Sequence, residues 1–445
     1  MTPQTLSKSF PSLATLFVRS LYKGELRLPS STIVDRLLER LDFWSSPEIA
    51  PFTDWILSTD SPYILLDAVF DRLLHFTGLR RLHTHNVHFT QTKVDILCHL
   101  PILTELDIFL GSVAPGNPID SLPQALRVSD FAVFYPRSTQ PENIPWIPLL
   151  HPENLHSLRA DLSPRLLGAA VEAIPSFTNV HTLEIPLPAS GQNLSILAKF
   201  PAVRVLKVNA KKNGPSVGSH PRAPPTFPLL REYTGPYQLL PILIPVATLT
   251  HLRVSNCSHK DFITMLRAIG RPNSITSFHA EFSQFTTAAF LALLELLPRL
   301  AELAIRTVFD SIHSMFLRES YDDLKLKDDE IVDGRHAPPS TFFLALPTFS
   351  TLPPNLERLA ISWECYDLHM DELVAYRLPK FEQLRDALLI KCPRLTWLYV
   401  DGYYFMHQWR TTPEGVAKEE TATNFLDAYG QRQGAETFCK WWEWS

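Results

Sequence analysis

The stretch KFPAVRVLKVNA, residues 199–210, follows a pattern that recurs along the chain: an apolar residue, often Pro, an apolar residue, two of anything, Leu, one of anything, then an apolar residue. Tracked by its central residue, the phrase falls at Leu16, Leu82, Leu106, Leu158, Leu183, Leu206, Tyr233, Leu252, Phe278, Leu303, Leu359 and Leu398. From Leu158 to Leu303 the successive intervals are 25, 23, 27, 19, 26 and 25 residues. A period in that range is the mark of stacked supersecondary units, none of which can bury its apolar side alone.

Within a unit, the alternation at Leu206 and Val208, or Leu303 and Ile305, specifies a short strand with its apolar side chains on one face. The stretch before the strand is helix-like: DFITMLRAIG spaces Phe262, Met265, Leu266 and Ile269 along one side. Pro175, Pro201, Pro298 and Pro393 stand between helix and strand, where Pro stops the helix without removing a ladder donor. Stacked units set their strands in one parallel sheet, and each central Leu gains about 1.5–3 kcal/mol by burial. The expected fold class is α/β: an irregular leucine-rich-repeat solenoid, with parallel strands on the concave face and helices on the convex face. Irregularity follows from the uneven unit lengths, and from the slot five residues after the central Leu, where a regular unit carries Asn or Cys and only Cys257 does so here.

Three stretches break the period. Residues 30–76, with SSTIVDRLLERLDFW and SPYILLDAVFDRLLHF, read as helical packing at the N-terminal end. Residues 209–228 are rich in Pro and Gly and read as an exposed loop. Residues 319–340 have more acids than Lys and Arg and read as a mobile excursion, a candidate docking loop. The tail FCKWWEWS supplies Trp441, Trp442 and Trp444 to cover the last unit. The expected division is an N-terminal capping region with a helical insert and the first repeats over 1–90, the solenoid over 91–400, and a C-terminal cap over 401–445.

A formal net charge of −5 gives no basic surplus, so neither nucleic acid nor a membrane is an expected partner. Cys98, Cys257, Cys365, Cys392 and Cys439 lie far apart with no C-x-x-C pair, which excludes a disulfide framework or a zinc knuckle. The N-terminus carries no leader pattern and the apolar run AAFLALLELL is far shorter than a membrane span; the expected location is cytoplasmic or nuclear. No G-x-S-x-G elbow, G-x-x-x-x-G-K-[ST] loop, G-x-G-x-x-G turn or H-E-x-x-H helix occurs, so no enzyme and no cofactor is expected, and a metal-dependent hydrolase is the least favoured reading. The best metal-ligating stretch is HTHNVH, which puts His83 and His85 on one outward face with His88 just beyond. With no carboxylate or cysteine beside them in the sequence, these are expected to be solvated rings, at most sensitive to pH, and no metal site is expected.

Residues flanking each central position point to the open face of the sheet. The candidate partner-binding residues are Arg81, His83 and His85; Arg159 and Asp161; His251 and Arg253; His279 and Glu281; Arg306; Arg358; and Trp397 and Tyr399. Parallel neighbours lie about 4.8 Å apart, so Glu281 is expected beside Arg306 and Glu302 beside Arg358.

At HFTGLRRLHTHNVHFTQTKVDILCHLPILTELDI and again at FPLLREYTGPYQLLPILI, the wording resembles the F-box-like leucine-rich-repeat proteins of mushroom-forming fungi. The resemblance implies an N-terminal F-box that grips the Skp adaptor of a cullin ubiquitin ligase, while the repeats hold a substrate. Residues 1–29 run into the repeat phrase SFPSLATLFV and contain no Leu-Pro-x-Glu opening, whereas LLDAVFDRLLHFTGL has F-box-like apolar content. The expected function is a non-catalytic scaffold that binds an unidentified protein partner on the concave face as a substrate receptor. The alternative is an F-box-type substrate-recognition subunit of a cullin ubiquitin ligase.

Overall fold

In a computed structural model of the chain, the central residues of the repeat phrase stand side by side. The structure describes residues 39, 41–43, 45–47, 50, 55–58, 63–113, 126–135, 146–162, 164–172, 174, 176–186, 194–209, 227–243, 248–270, 274–283, 286–308, 342–343, 345–364, 380–402, 405–411 and 415–422. Leu16, most of the 209–228 loop, the acidic stretch 319–340, Pro175, Cys365, Cys439 and the Trp-rich tail lie outside the described residues. The chain divides into two units, Met1–Leu230 and Arg231–Ser445.

The first unit runs β1 (Trp55–Ser58), α1 (Tyr63–Leu73), β2 (Arg81–His85), β3 (His88–Phe89), α2 (Gln91–His99), β4 (Glu105–Phe109), β5 (Ser112–Val113), β6 (Asp130–Phe134), α3 (Trp146–Leu149), β7 (Ser157–Asp161), α4 (Pro164–Glu172), β8 (Thr182–Pro186) and β9 (Val205–Asn209). Its sheet is parallel in the order β1-β2-β4-β6-β7-β8-β9, and β3 and β5 form a small parallel pair beside it. The second unit runs β10 (Glu232–Gly235), α5 (Leu240–Leu243), β11 (His251–Cys257), α6 (His259–Ile269), β12 (Ser277–Phe282), α7 (Thr287–Leu296), β13 (Glu302–Val308), β14 (Arg358–Glu364), α8 (Phe381–Lys391), β15 (Trp397–Gly402), β16 (Met406–Thr411) and β17 (Ala417–Ala422). Here β10 to β15 are parallel, and β16 and β17 add antiparallel strands. The exposed Lys418, Glu419 and Glu420 on β17 blunt that edge against pairing with another chain.

Three positions of the phrase build the core. The central row runs Leu82, Leu106, Phe131, Leu158, Leu183 and Leu206 in the first unit, and Tyr233, Leu252, Phe278, Leu303, Leu359 and Leu398 in the second. All are essentially inaccessible. Two residues on, Ile108, Val133, Ile305 and Val400 are buried on the same face, and three residues before, Leu79, Leu103, Leu155, Val203, Ile275 and Leu356 close the core from below. The helices lie over that face: Phe262 of α6 stacks on Phe278 at 5.3 Å between ring centroids. Thr90 and Thr286 cap α2 and α7 by accepting from the backbone N–H of Lys93 and Ala289.

A polar device repeats as well. Two residues before most of the central positions, one carbonyl accepts two backbone N–H groups of the following strand. Arg80 takes Thr104 and Glu105, Thr104 takes Ser129 and Asp130, Thr250 takes Thr276 and Ser277, and Glu357 takes Thr396 and Trp397. Where that position is Thr or Ser, its hydroxyl donates to the preceding carbonyl too, as in Thr104 to Arg80 at 3.0 Å and Ser129 to Thr104 at 3.1 Å. Strand entries are thereby satisfied without an Asn ladder.

The structure corrects two expectations. Residues 30–76 are not helical throughout: Trp55–Ser58 forms β1, with Ile56 opposite Leu82. A short apolar run bounded by turn residues carries no period that separates strand from helix. The gap between Leu106 and Leu158 holds a further unit, centred on Phe131. Within the region expected to cap the C-terminal end, β16 and β17 add two antiparallel strands, and the Trp-rich tail expected to cover the last unit lies outside the described residues. LLDAVFDRLLHFTGL forms α1 and the turn into β2, with Phe70, Leu73, Phe76 and Leu79 buried.

Candidate protein-binding face

Alternation along each strand fixes which side chains leave the core. In the first unit the register sets His83 beside Asp107, Asp107 beside Ala132, and Ala132 beside Arg159 on the face opposite the central residues. Ala132 is short enough to leave a path across β6, and Arg159 Nη2 reaches Asp107 Oδ1 at 3.1 Å. On the other side His83 Nδ1 lies 2.9 Å from Asp107 Oδ2, and His83 Nε2 lies 3.7 Å from Glu105 Oε1. Asp107 is only 8% exposed, and these partners satisfy its carboxylate oxygens.

One row further along the strands the same face turns aromatic. His85 stacks on Phe109 at 6.0 Å and Phe109 on Phe134 at 4.6 Å, with interplanar angles of 20° and 27°. Asp161 follows Phe134 in register. Phe109 is 44% exposed despite standing mid-sheet. Arg81 is exposed at the strand entry, opposite Glu105.

In the second unit Glu302 meets a hydroxyl, an imidazole and a guanidinium. Ser277 Oγ donates to its Oε2 at 2.8 Å, His279 Nε2 lies 3.8 Å from the same oxygen, and Arg358 pairs with Oε1. The expected Glu302–Arg358 pair therefore forms, and Glu281 stands opposite Arg306 in register. Arg253 is opposite His279, and burial disfavours its charged form while Glu281 opposes that shift. His251 is exposed, with its Nδ1 2.8 Å from Thr250 Oγ1. Tyr399 and Trp397 differ from the rest. Tyr399 is 1% exposed in a cluster with Ala304, Ala360, Met406 and Ala422, and Trp397 packs half-buried against it. Tyr399 belongs to that apolar cluster and does not stand at the surface.

Burial, then the nearby Arg253, Arg358 and His251, push His279 down to about 3. His407 of β16, stacked on Phe381 at 4.7 Å and bonded to Thr421 Oγ1 at 2.9 Å, is pushed down to about 4, chiefly by burial. Both values lie below the ordinary histidine value of about 6.5. The unfolded chain therefore takes up these protons at a higher pH than the folded chain. Stability contributed by the neutral rings is complete above pH about 6.5 and is lost as the pH falls from there toward about 4 for His407 and about 3 for His279, by at most about 1.4 kcal/mol per pH unit for each ring. Replacing His407 with Gln is expected to flatten the slope in urea unfolding series run at several pH values. An unchanged slope would contradict a buried neutral ring.

Alternation in ELDIF already turns Glu105, Asp107 and Phe109 to this face; their place beside His83 and His85 follows from the register, and Phe134, on the strand whose unit was overlooked, is the aromatic neighbour that the sequence did not show. Cys98, Cys257 and Cys392 are free thiols. No helix among the described residues is long and apolar enough to cross a membrane. No protein-family model matches the chain, and no curated protein matches it.

Proposed function

We propose that the chain is an irregular leucine-rich-repeat scaffold that binds a protein partner, without catalysis, on the sheet face opposite its core. The observation that carries this reading is Phe109, a large exposed aromatic held rigidly between His85 and Phe134, with Arg159 and its carboxylates in the adjacent row. Rigid aromatic side chains next to Arg are the usual anchors of protein interfaces, because they desolvate much area at little entropic cost. Charged rows around the ladder supply orientation and exclude wrong partners.

Proximity labelling with the intact chain in its own cells tests the reading. The wild type is expected to enrich a partner that Phe109→Asp loses by at least tenfold, the scale of an anchor worth about 2 kcal/mol. Charge reversal at Arg253 and Arg306 is expected to weaken capture further. Unchanged enrichment by a folded Phe109→Asp chain would overturn the site. Retention of the Skp adaptor in the same experiment would extend the reading to a cullin-ligase substrate receptor.

A further inference from the structure

We infer that His83, Glu105 and Asp107 form a binding site for a divalent transition-metal ion such as Zn²⁺. The inference goes beyond partner binding, although its residues lie in the charged row beside Phe109, and it does not depend on that reading. Parallel pairing of β2 and β4 places His83 opposite Asp107, and Glu105, two residues earlier on β4, projects from the same face. One ligand atom from each residue lies within 4.8 Å of the others. Rotation of the side chains alone can bring such atoms to the roughly 2.0–2.2 Å from one ion that zinc–nitrogen and zinc–oxygen bonds require.

The donor set is chemically apt. One imidazole and two carboxylates suit zinc and its first-row neighbours better than calcium, which prefers six or more oxygens. The ion takes the place of the proton between His83 Nδ1 and Asp107 Oδ2, now 2.9 Å apart, or ligates the opposite ring nitrogen beside Glu105. Arg159 binds the other oxygen, Asp107 Oδ1, and so fixes the carboxylate as an outer partner does in metal sites. All three ligands rise from two hydrogen-bonded strands, so little ordering is needed on binding.

The test uses the intact chain, freed of metal with chelator and titrated with Zn²⁺ by calorimetry and with Co²⁺ by visible absorption. One equivalent is expected to bind. His83→Ala, Glu105→Gln and Asp107→Asn are each expected to weaken it by at least about tenfold, the lower end of what even an outer partner costs. His75→Ala, on the exposed turn after α1, is expected to change nothing. Absence of saturable binding tighter than about 100 µM would overturn the site. So would undiminished binding by His83→Ala with an unaltered melting profile, or Co²⁺ spectra showing thiolate charge transfer. Should His83→Ala fail to fold, Cu²⁺ bound to the wild type is expected to show one imidazole nitrogen by paramagnetic resonance, and a spectrum with oxygen ligands alone would overturn the assignment.

Discussion

Phe278→Ala is expected to lower the unfolding free energy of the second unit by about 3–5 kcal/mol in urea titrations. Phe278 has no exposed surface, stacks on Phe262 and sits in register between Leu252 and Leu303. Removing its ring leaves a void that the neighbours cannot fill, because Leu252 and Leu303 are tied to their places by the hydrogen bonds of β11 and β13. The loss therefore includes both the transfer energy of the ring and a cavity term. Leu229→Ala, at a 45% exposed position, is expected to change stability by less than about 0.5 kcal/mol. A Phe278→Ala loss no larger than that of Leu229→Ala would show that the row is not a packed core.

Gly111→Ala is expected to cost about 1–3 kcal/mol, although it adds a single methyl group. A Cβ there would fall far inside contact distance of Ile108 Cγ2 and 3.1 Å from Phe89 Cε2. Both neighbours are fully buried, and Ile108 is branched at Cβ, so neither can swing aside. The backbone cannot yield either, since the Gly111 carbonyl accepts from the buried Tyr135 hydroxyl and Leu110 before it already holds a left-handed conformation at φ 56°. Gly111 occupies the slot five residues after Leu106, where a regular unit carries Asn or Cys. Thermal melts compare it with wild type, and a midpoint unchanged within error would contradict the crowding.

The spine was legible because alternation and spacing survive in one dimension: Leu183 and Leu206, or Leu252 and Leu303, announce their strands by the apolar residue two further on. The unit at β6 was obscured because Pro-rich sequence surrounds Phe131. Direction was also legible, since every candidate residue on β2, β7, β11, β12 and β13 leaves the core side as expected. Juxtaposition was less so. Glu302 and Arg358 were matched by counting units, yet the carboxylates beside His83 come from the next strand and needed the register itself. Tyr399 shows a different limit: alternation gives the side on which a ring projects and is silent on what covers it.

Hydrogen exchange on the intact chain tests the shared spine most directly. The amides of Leu158, Leu183 and Leu206 in the first unit, and of Leu252, Phe278 and Leu303 in the second, are expected to be protected to a common level within each unit and to exchange only through cooperative opening. Exchange of Leu183 or Phe278 at the rate of an exposed turn, or at rates independent of their lateral neighbours, would contradict it.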